Sequence, residues 1–277
     1  MTLGSPTSQR LAARGRYAGQ ACVALVSQPS EGVERVLERL AEWRDVRRGP
    51  WSYDPVERCE AEAERLFGSP PAGSTESFDD VWEAAVTRLE ERGLAVGRGV
   101  FGGWDDGDVR LCRLAWRLTR AVRPQFAVET GVARGLTSRV ILEAMERNGA
   151  GRLWSIDLPP LIRRELEDET AAAVAPALRH RWTLVPGSSR HRLPGLLRQL
   201  PRVDLFVHDS MHTTRNVRFE LSQIWPALRP GGAVLVDDVE RNRATAEFLD
   251  STPAADGVIC PADDGRALIG VIVKRPD

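Results

Sequence analysis

From Asp108 onward, short apolar runs alternate with helical periods, and that alternation constrains the fold more than any other feature of the chain. The runs are FAVET (126–130), RLWSID (152–157), WTLVPG (182–187), DLFVHD (204–209) and AVLVDD (233–238). Helical spacing predicts VRLCRLAWRLTRAV before the first of them, then helices over Leu136 to Asn148, Leu161 to Arg179 with a break at Pro176, Leu193 to Leu200, and Thr214 to Leu228. Continuously apolar strands between helices imply a parallel sheet covered on both faces. The end differs, because GVIC and ALIGVIV are separated by PADDGR, which holds an Asp-Gly turn signal. The expected fold class is therefore α/β: an open, doubly wound, mostly parallel sheet with an antiparallel C-terminal hairpin and a helical N-terminal addition.

That addition occupies residues 1–100, and the α/β domain 101–277. Glu31 to Arg48 carries Val33, Val36, Leu37, Leu40 and Trp43 at helical spacing. Asp54-Pro55 reads as an N-cap followed by proline at the first helical position, opening a helix to Phe67. Asp79 to Arg92 repeats the pattern and Gly93 stops it. The glycine-rich GRGVFGGWDDGD separates the two regions. The first hundred residues serve as a lid, a dimer surface in a homo-oligomer, or plain core. Trp104, Asp105 and Asp106 either fold over a ligand or belong to a polar linker. The formal net charge of −1 argues against a dedicated nucleic-acid binder. No apolar run is long enough to span a membrane, and the N-terminal stretch lacks a secretory core, since Ala21 to Val26 is too short. Cys22, Cys59, Cys112 and Cys260 lie far apart with no C-x-x-C pair, which excludes a zinc cluster and leaves reduced thiols in a cytoplasmic protein as the expectation.

In a doubly wound sheet, ligands bind outside the carboxyl ends of the strands, near the point where strand order reverses. The strand ends here deliver Glu129-Thr130-Gly131-Val132-Ala133-Arg134-Gly135, then Asp157, then Gly187-Ser188-Ser189, then His208-Asp209-Ser210-Met211-His212, then Asp237-Asp238. Two glycines four apart, between strand and helix, let a ligand approach the backbone at a helix N-terminus; a tight turn without a ligand is the alternative. Asp157, one strand later, can accept both hydroxyls of a ribose or cap a turn before Pro159-Pro160. Together they favour a ligand containing a nucleoside. If the fourth and fifth strands are neighbours, their ends lie about 4.8 Å apart, and Asp209, Asp237 and Asp238 crowd into one volume. Carboxylates that close repel unless a cation sits among them, and an oxygen-only set suits Mg²⁺ or another hard divalent ion. The alternative is that these acids cap turns.

The motif order resembles the class I S-adenosylmethionine-dependent methyltransferases over roughly Phe101 to Val273. E-T-G-x-A-x-G is similar to their first motif, SIDLP to the second, DLFVHDSMH to the fourth, and LRPGGAVLVDD to the stretch entering the fifth strand. HDSxH and VDD look most like the metal-dependent branch that methylates sugar and catechol hydroxyls, which includes the macrocin-type enzymes. The resemblance implies that Glu129 and Gly131 hold the methionine part of S-adenosylmethionine and Asp157 its ribose, with Thr130 and Gly135 also binding the cofactor. It places Ser188 and Ser189 beside the adenine and His208 in support near the cofactor. Ser188 departs from the pattern, because relatives often carry an acid there. Asp209, Asp237 and Asp238 are thus the expected ligands of Mg²⁺, and His212, three residues past Asp209 on the same edge, is the expected base, forming the catalytic pair with the metal-bound Asp209. A metal lowers the pKa of a bound hydroxyl, and an imidazole can take its proton. The expected reaction is methylation of a hydroxyl on a small molecule, a sugar or a natural-product scaffold. A nicotinamide-dependent oxidoreductase and a catalytically silent cofactor-binding protein are the competing readings. The first lacks G-x-G-x-x-G and a Tyr/Lys proton relay, since Tyr17 and Tyr53 lie outside the core.

Overall fold

The computed structural model describes residues 29–160, 164–263 and 265–276. The expectations resting on the N-terminal stretch, including Cys22 and Tyr17, lie outside the described residues. Three helices come first: α1 (Pro29–Arg48), α2 (Cys59–Phe67) and α3 (Ser74–Glu90). A small antiparallel pair follows, β1 (Gly97–Phe101) and β2 (Trp104–Asp106). The α/β unit then runs α4 (Val109–Val122), β3 (Phe126–Thr130), α5 (Leu136–Asn148), β4 (Arg152–Asp157), α6 (Arg164–Glu169), β5 (Trp182–Pro186) and α7 (Ser189–Leu197). It ends with β6 (Val203–His208), α8 (Thr214–Ala227), β7 (Leu228–Val236), α9 (Ala244–Ser251), β8 (Ala255–Pro261) and β9 (Leu268–Lys274).

The seven-stranded sheet has the order β5-β4-β3-β6-β7-β9-β8. The first five strands are parallel, and β9 joins β7 antiparallel with β8 on the outer edge. Chain order turns back between β3 and β6, which is where a ligand cleft is expected. Both faces of the sheet are covered. Leu205, Val207, Ala233 and Leu235 face a core with α4 and α5, to which Cys59, Ala63, Phe78, Val81, Ala85 and Leu89 of α2 and α3 also contribute. Phe206, Val234 and Val236 face the other side, with Leu193, Val217, Leu221 and Ile224. Each fully buried side chain of that size contributes roughly 2 kcal/mol of hydrophobic stabilisation.

Three local expectations are corrected. Asp54-Pro55 opens no helix: Trp51 N–H donates to Glu240 O (2.7 Å) and Val56 N–H to Ile259 O (2.8 Å), which holds this segment against the body until α2 begins at Cys59. The long helix expected before Arg179 is cut short at Glu169. There the chain turns to donate Ala171 N–H to Ala133 O (2.9 Å) and Ala173 N–H to Arg134 O (2.8 Å), bracing the glycine turn after β3. Cys59 and Cys260 form a disulfide with their Cα atoms 5.2 Å apart, tying α2 to β8. Such a bond departs from the reduced state expected of a cytosolic protein, and its sequence separation of 201 residues left no spacing signal to read. Cys112 is free and buried. Among the described residues no helix is long and apolar enough to cross a membrane.

Candidate active site

The parallel ladder continues one residue past the strand ends. Thr130 pairs with His208, and His208 with Val236. Beyond them Asp209 N–H donates to Thr130 O (2.8 Å) and Asp237 N–H to His208 O (3.0 Å). On the other side Gly131 N–H donates to Ile156 O (2.9 Å) and Gly187 N–H to Asp157 O (2.8 Å). The first loop residues Gly131, Asp209 and Asp237 therefore stand in one row across the switch point. Gly131 has φ of +87°, and a Cβ there would lie 1.9 Å from the Asp209 carbonyl oxygen. Only glycine lets these loops come that close.

Glu129 is fully buried. One carboxylate oxygen accepts from Ser138 Oγ (2.5 Å) and Ser155 Oγ (2.6 Å), while Oε1 has no partner. Burial raises its pKa to about 7, against the two hydroxyl hydrogen bonds. Asp157 accepts from Leu158 N–H (2.8 Å) and Ala133 N–H (3.2 Å), so it shapes the glycine turn, and burial raises its pKa to about 6. Gly135 caps α5 in the left-handed conformation. The orphaned Glu129 oxygen, the glycine turn and the acid at the end of β4 fit a ligand that brings hydrogen-bond donors and a ribose.

Asp209, His212 and Asp237 each offer a ligand atom, and these atoms lie within 4.8 Å of one another. Burial, with the neighbouring acids Glu129 and Asp238, pushes the Asp209 carboxyl well up; burial, with Asp238 and Asp209, does the same to Asp237. Burial holds the His212 imidazole down to about 4, so it is neutral at physiological pH. Two carboxylates and a neutral imidazole suit a divalent cation. Asp238 stands differently: its backbone is left-handed (φ +52°), and its carboxylate pairs with Arg241 (2.8 Å) and lies 3.7 Å from His212 Nε2.

Other expected residues are placed as follows. Thr130 donates its hydroxyl to Glu220 (2.7 Å), a fully buried acid on α8. His208 is buried, with Nδ1 2.7 Å from Glu220 and Nε2 unpartnered, and its ring stands edge-on to His212 at 5.3 Å. Glu220 also accepts from Ser210 Oγ and Asn216 Nδ2, both at 3.0 Å. Despite burial these partners, His208 foremost, hold it below the usual carboxylate range. Ser189 Oγ donates to Asn216 (3.2 Å). Ser188 meets an acid that the sequence reading missed, because its N–H donates to Glu31 of α1 at 3.1 Å. Nearby Arg35 of the same helix donates to Pro159 O (3.0 Å). For Glu220 a signal existed: it follows Thr213, Asn216 and Val217 on the buried stripe of α8, an acid in a core position.

Residues 128–239 match a family described as a methyltransferase domain. Among solved structures, an O-methyltransferase from Bacillus cereus bound to SAH has a TM-score of 0.53 at 13% identity, covering 70% of this chain and 91% of that one. An O-methyltransferase from Streptomyces achromogenes involved in tomaymycin synthesis, in complex with SAM, gives 0.52 at 17% identity over 78% and 95%. A SAH-bound methyltransferase from Podospora anserina gives 0.50 at 15% over 82% and 100%. No curated protein sequence matches the chain. The strand order, the glycine turn after β3 and the family match over the site-bearing strands agree: residues 128–239 are similar to a methyltransferase domain, and the chain has the fold of the O-methyltransferases named above.

Proposed function

We propose that the protein is an O-methyltransferase that transfers the methyl group of S-adenosylmethionine to a hydroxyl of a small molecule, a sugar or natural-product scaffold, with a divalent cation such as Mg²⁺. The observation that carries this is the row Gly131, Asp209, Asp237, which sets a nucleoside-type turn directly beside a cluster of Asp209, His212 and Asp237. Glu129 would accept from the donor groups of the methionine part and Asp157 from the ribose. Gly187, Ser188 and Ser189 border the base, where Glu31 supplies the carboxylate that Ser188 lacks. S-adenosylmethionine supplies an electrophilic methyl on a sulfonium, and a bound cation would fix an acceptor oxygen and make its hydroxyl more acidic.

Asp209 and Asp237 would hold the cation, with Asp238 completing the protein's share and His212 left unligated beside it. His212 is the proton acceptor of the proposal. Its low basicity suffices, because a hydroxyl that is giving its lone pair to a methyl group becomes strongly acidic. The leaving thioether is neutral, so the chain's own contribution is positioning and proton removal. The test is turnover against a panel of hydroxylated acceptors, after exhaustive chelation and after Mg²⁺ is restored. The expected result is loss and recovery of activity, with Asp209→Asn not recovering. Full turnover in the chelated protein would remove the cation from the proposal. Calorimetry showing NAD binding and no S-adenosylhomocysteine binding would overturn the cofactor.

A further inference from the structure

Helix α1 lies on the body the wrong way round for an isolated chain. Its charged residues Glu31, Glu34, Arg35 and Glu38 are buried, while Val33 (50% exposed), Val36, Leu37, Leu40 (48%), Trp43 (56%) and Val46 (62%) face outward. The inner face is stitched down. Glu34 and Glu38 both pair with Arg215, Glu34 also accepts from Arg190 (2.8 Å), and Glu38 accepts from Thr213 Oγ1 (2.5 Å). Asp45 accepts from Thr214 N–H (2.8 Å) at the start of α8. Rolling the helix to hide its apolar face would strip these buried charges of their partners, which costs more than the exposure it would relieve. The apolar face is therefore fixed outward, and it forms one unbroken stripe at 3–4 residue spacing.

We propose that this stripe is the contact face between two copies of the chain, α1 packing antiparallel against α1 about a two-fold axis. Area is the first argument. The six side chains expose on the order of 500 Å² per copy, at the upper end of what monomers show, and pairing two copies removes up to about 1,000 Å², which reaches the threshold of a specific interface. Self-complementarity is the second, because a two-fold contact must fit its own patch. With the axis between Val36 and Leu40, Val33 of one copy meets Trp43 of the other, and Val36 meets Leu40. In both of these layers a small residue faces a large one, as close packing requires, and Leu37 and Val46 flank them. Arg44 and Arg48 are exposed beyond the stripe and remain in solvent, while the exposed Arg47 lays its guanidinium over the Trp43 ring at 4.6 Å and borders the contact. The pairing has a consequence for the site, which rests on the cofactor reading above whereas the interface does not. It would pin α1, and with it Glu31 on Ser188 and Arg35 on Pro159, over the adenosine rim.

The test is the mass of the full chain by light scattering across the micromolar range, together with the Leu40→Glu and Trp43→Glu variants and a Leu184→Glu control at an exposed apolar residue on β5. The expected mass is twice 30.6 kDa, with the dimer dissociation constant raised at least about 30-fold by either α1 substitution, the size of one hot-spot loss, and unchanged by the control. Far-UV circular dichroism checks that each variant is folded. Should one fail, the other reads the same face. S-adenosylhomocysteine affinity should fall in the monomeric variants. If no binding is seen even in the dimer, the cofactor reading fails while the interface stands. A wild-type monomer at tens of micromolar would overturn the proposal, since the stripe would then be covered from within the chain or left bare. So would a dimer that survives both α1 substitutions.

Discussion

Replacing Gly131 with alanine tests the contact on which the candidate site is built. The residue sits at φ +87°, a conformation that costs an L-residue about 1–2 kcal/mol. Its new Cβ would stand 2.4 Å from the carbonyl carbon of Asp209 and 1.9 Å from the carbonyl oxygen, the latter more than 1 Å inside the 3.0 Å below which Cβ contacts are essentially never found. The obstacle is backbone, so no side chain can swing away. Relief requires β3 and β6 to part at their ends, against the Asp209 N–H to Thr130 O bond of 2.8 Å. Overpacking of this kind costs about 1–3 kcal/mol beyond the dihedral strain. A displacement near 1 Å between Asp209 and the glycine turn should lower turnover on the order of 100-fold. Gly149→Ala is the matched control: its φ is +70°, yet nothing lies within 4 Å of the added carbon. That variant should lose about 1 kcal/mol from backbone strain alone and keep its activity. Chemical denaturation and methyl transfer, measured side by side on the two variants, decide the matter. Equal destabilisation, or normal turnover in Gly131→Ala, would refute the claim that this close approach sets the site.

Two further outcomes follow from buried groups. Burial raises Glu129 to about 7, so the folded protein keeps a proton that the unfolded chain releases near its ordinary value. Stability should be greatest below that ordinary value and fall by about 3 kcal/mol as pH rises to 7, then level off. Glu129→Gln should flatten this part of the unfolding free energy against pH in the ligand-free protein, and an unaltered slope would show that Glu129 does not carry it. The Cys59–Cys260 bond closes a loop of 201 residues, so Cys260→Ser should lower stability by about 2–4 kcal/mol. Coincident denaturation curves for the variant and the wild type would show that the bond contributes nothing.

The strands were legible because their residues are apolar on both faces, a pattern that burial between two helical layers demands and that little else produces. The hairpin order of β8 and β9 followed from the Asp-Gly turn. What the sequence hid were elements whose ends are set by distant partners. Thr170 N–H still bonds back to Leu166 O, but Ala171 and Ala173 turn to the carbonyls of residues 133 and 134, so α6 stops without any local breaker. Val56 is extended because Ile259, about two hundred positions on, accepts from it. β1 and β2 form where the glycine-rich sequence suggested a ligand-covering segment or a linker and carried no strand pattern. Competition of this kind is tertiary, and no local propensity encodes it.

The site was legible to the extent that it is made of strand ends. Listing what each strand delivers gathered the glycine turn and the acids at one edge of the sheet, and neighbouring fourth and fifth strands would bring Asp209, Asp237 and Asp238 together; the observed register then sets Gly131, Asp209 and Asp237 abreast. It could not separate Asp237 from Asp238. Successive residues leave a strand on opposite sides, and the left-handed turn at Asp238 sends that carboxylate toward Arg241 while Asp237 stays with Asp209 and His212. The orientation of α1 was the least legible feature, and the cause is general. Helical periodicity tells which residues share a face, so Val33, Val36, Leu37, Leu40 and Trp43 were correctly grouped. It does not tell which face turns inward; that choice normally goes to the apolar side because burying charge is costly. Here the rims of α7 and α8 present Arg190, Arg215, Thr213 and the free N–H of Thr214, groups that need acids. Glu34, Glu38 and Asp45 satisfy them, so the charged face wins the body. An amphipathic helix thus reports two surfaces, and the demand of what lies beneath decides which of them is left for the outside.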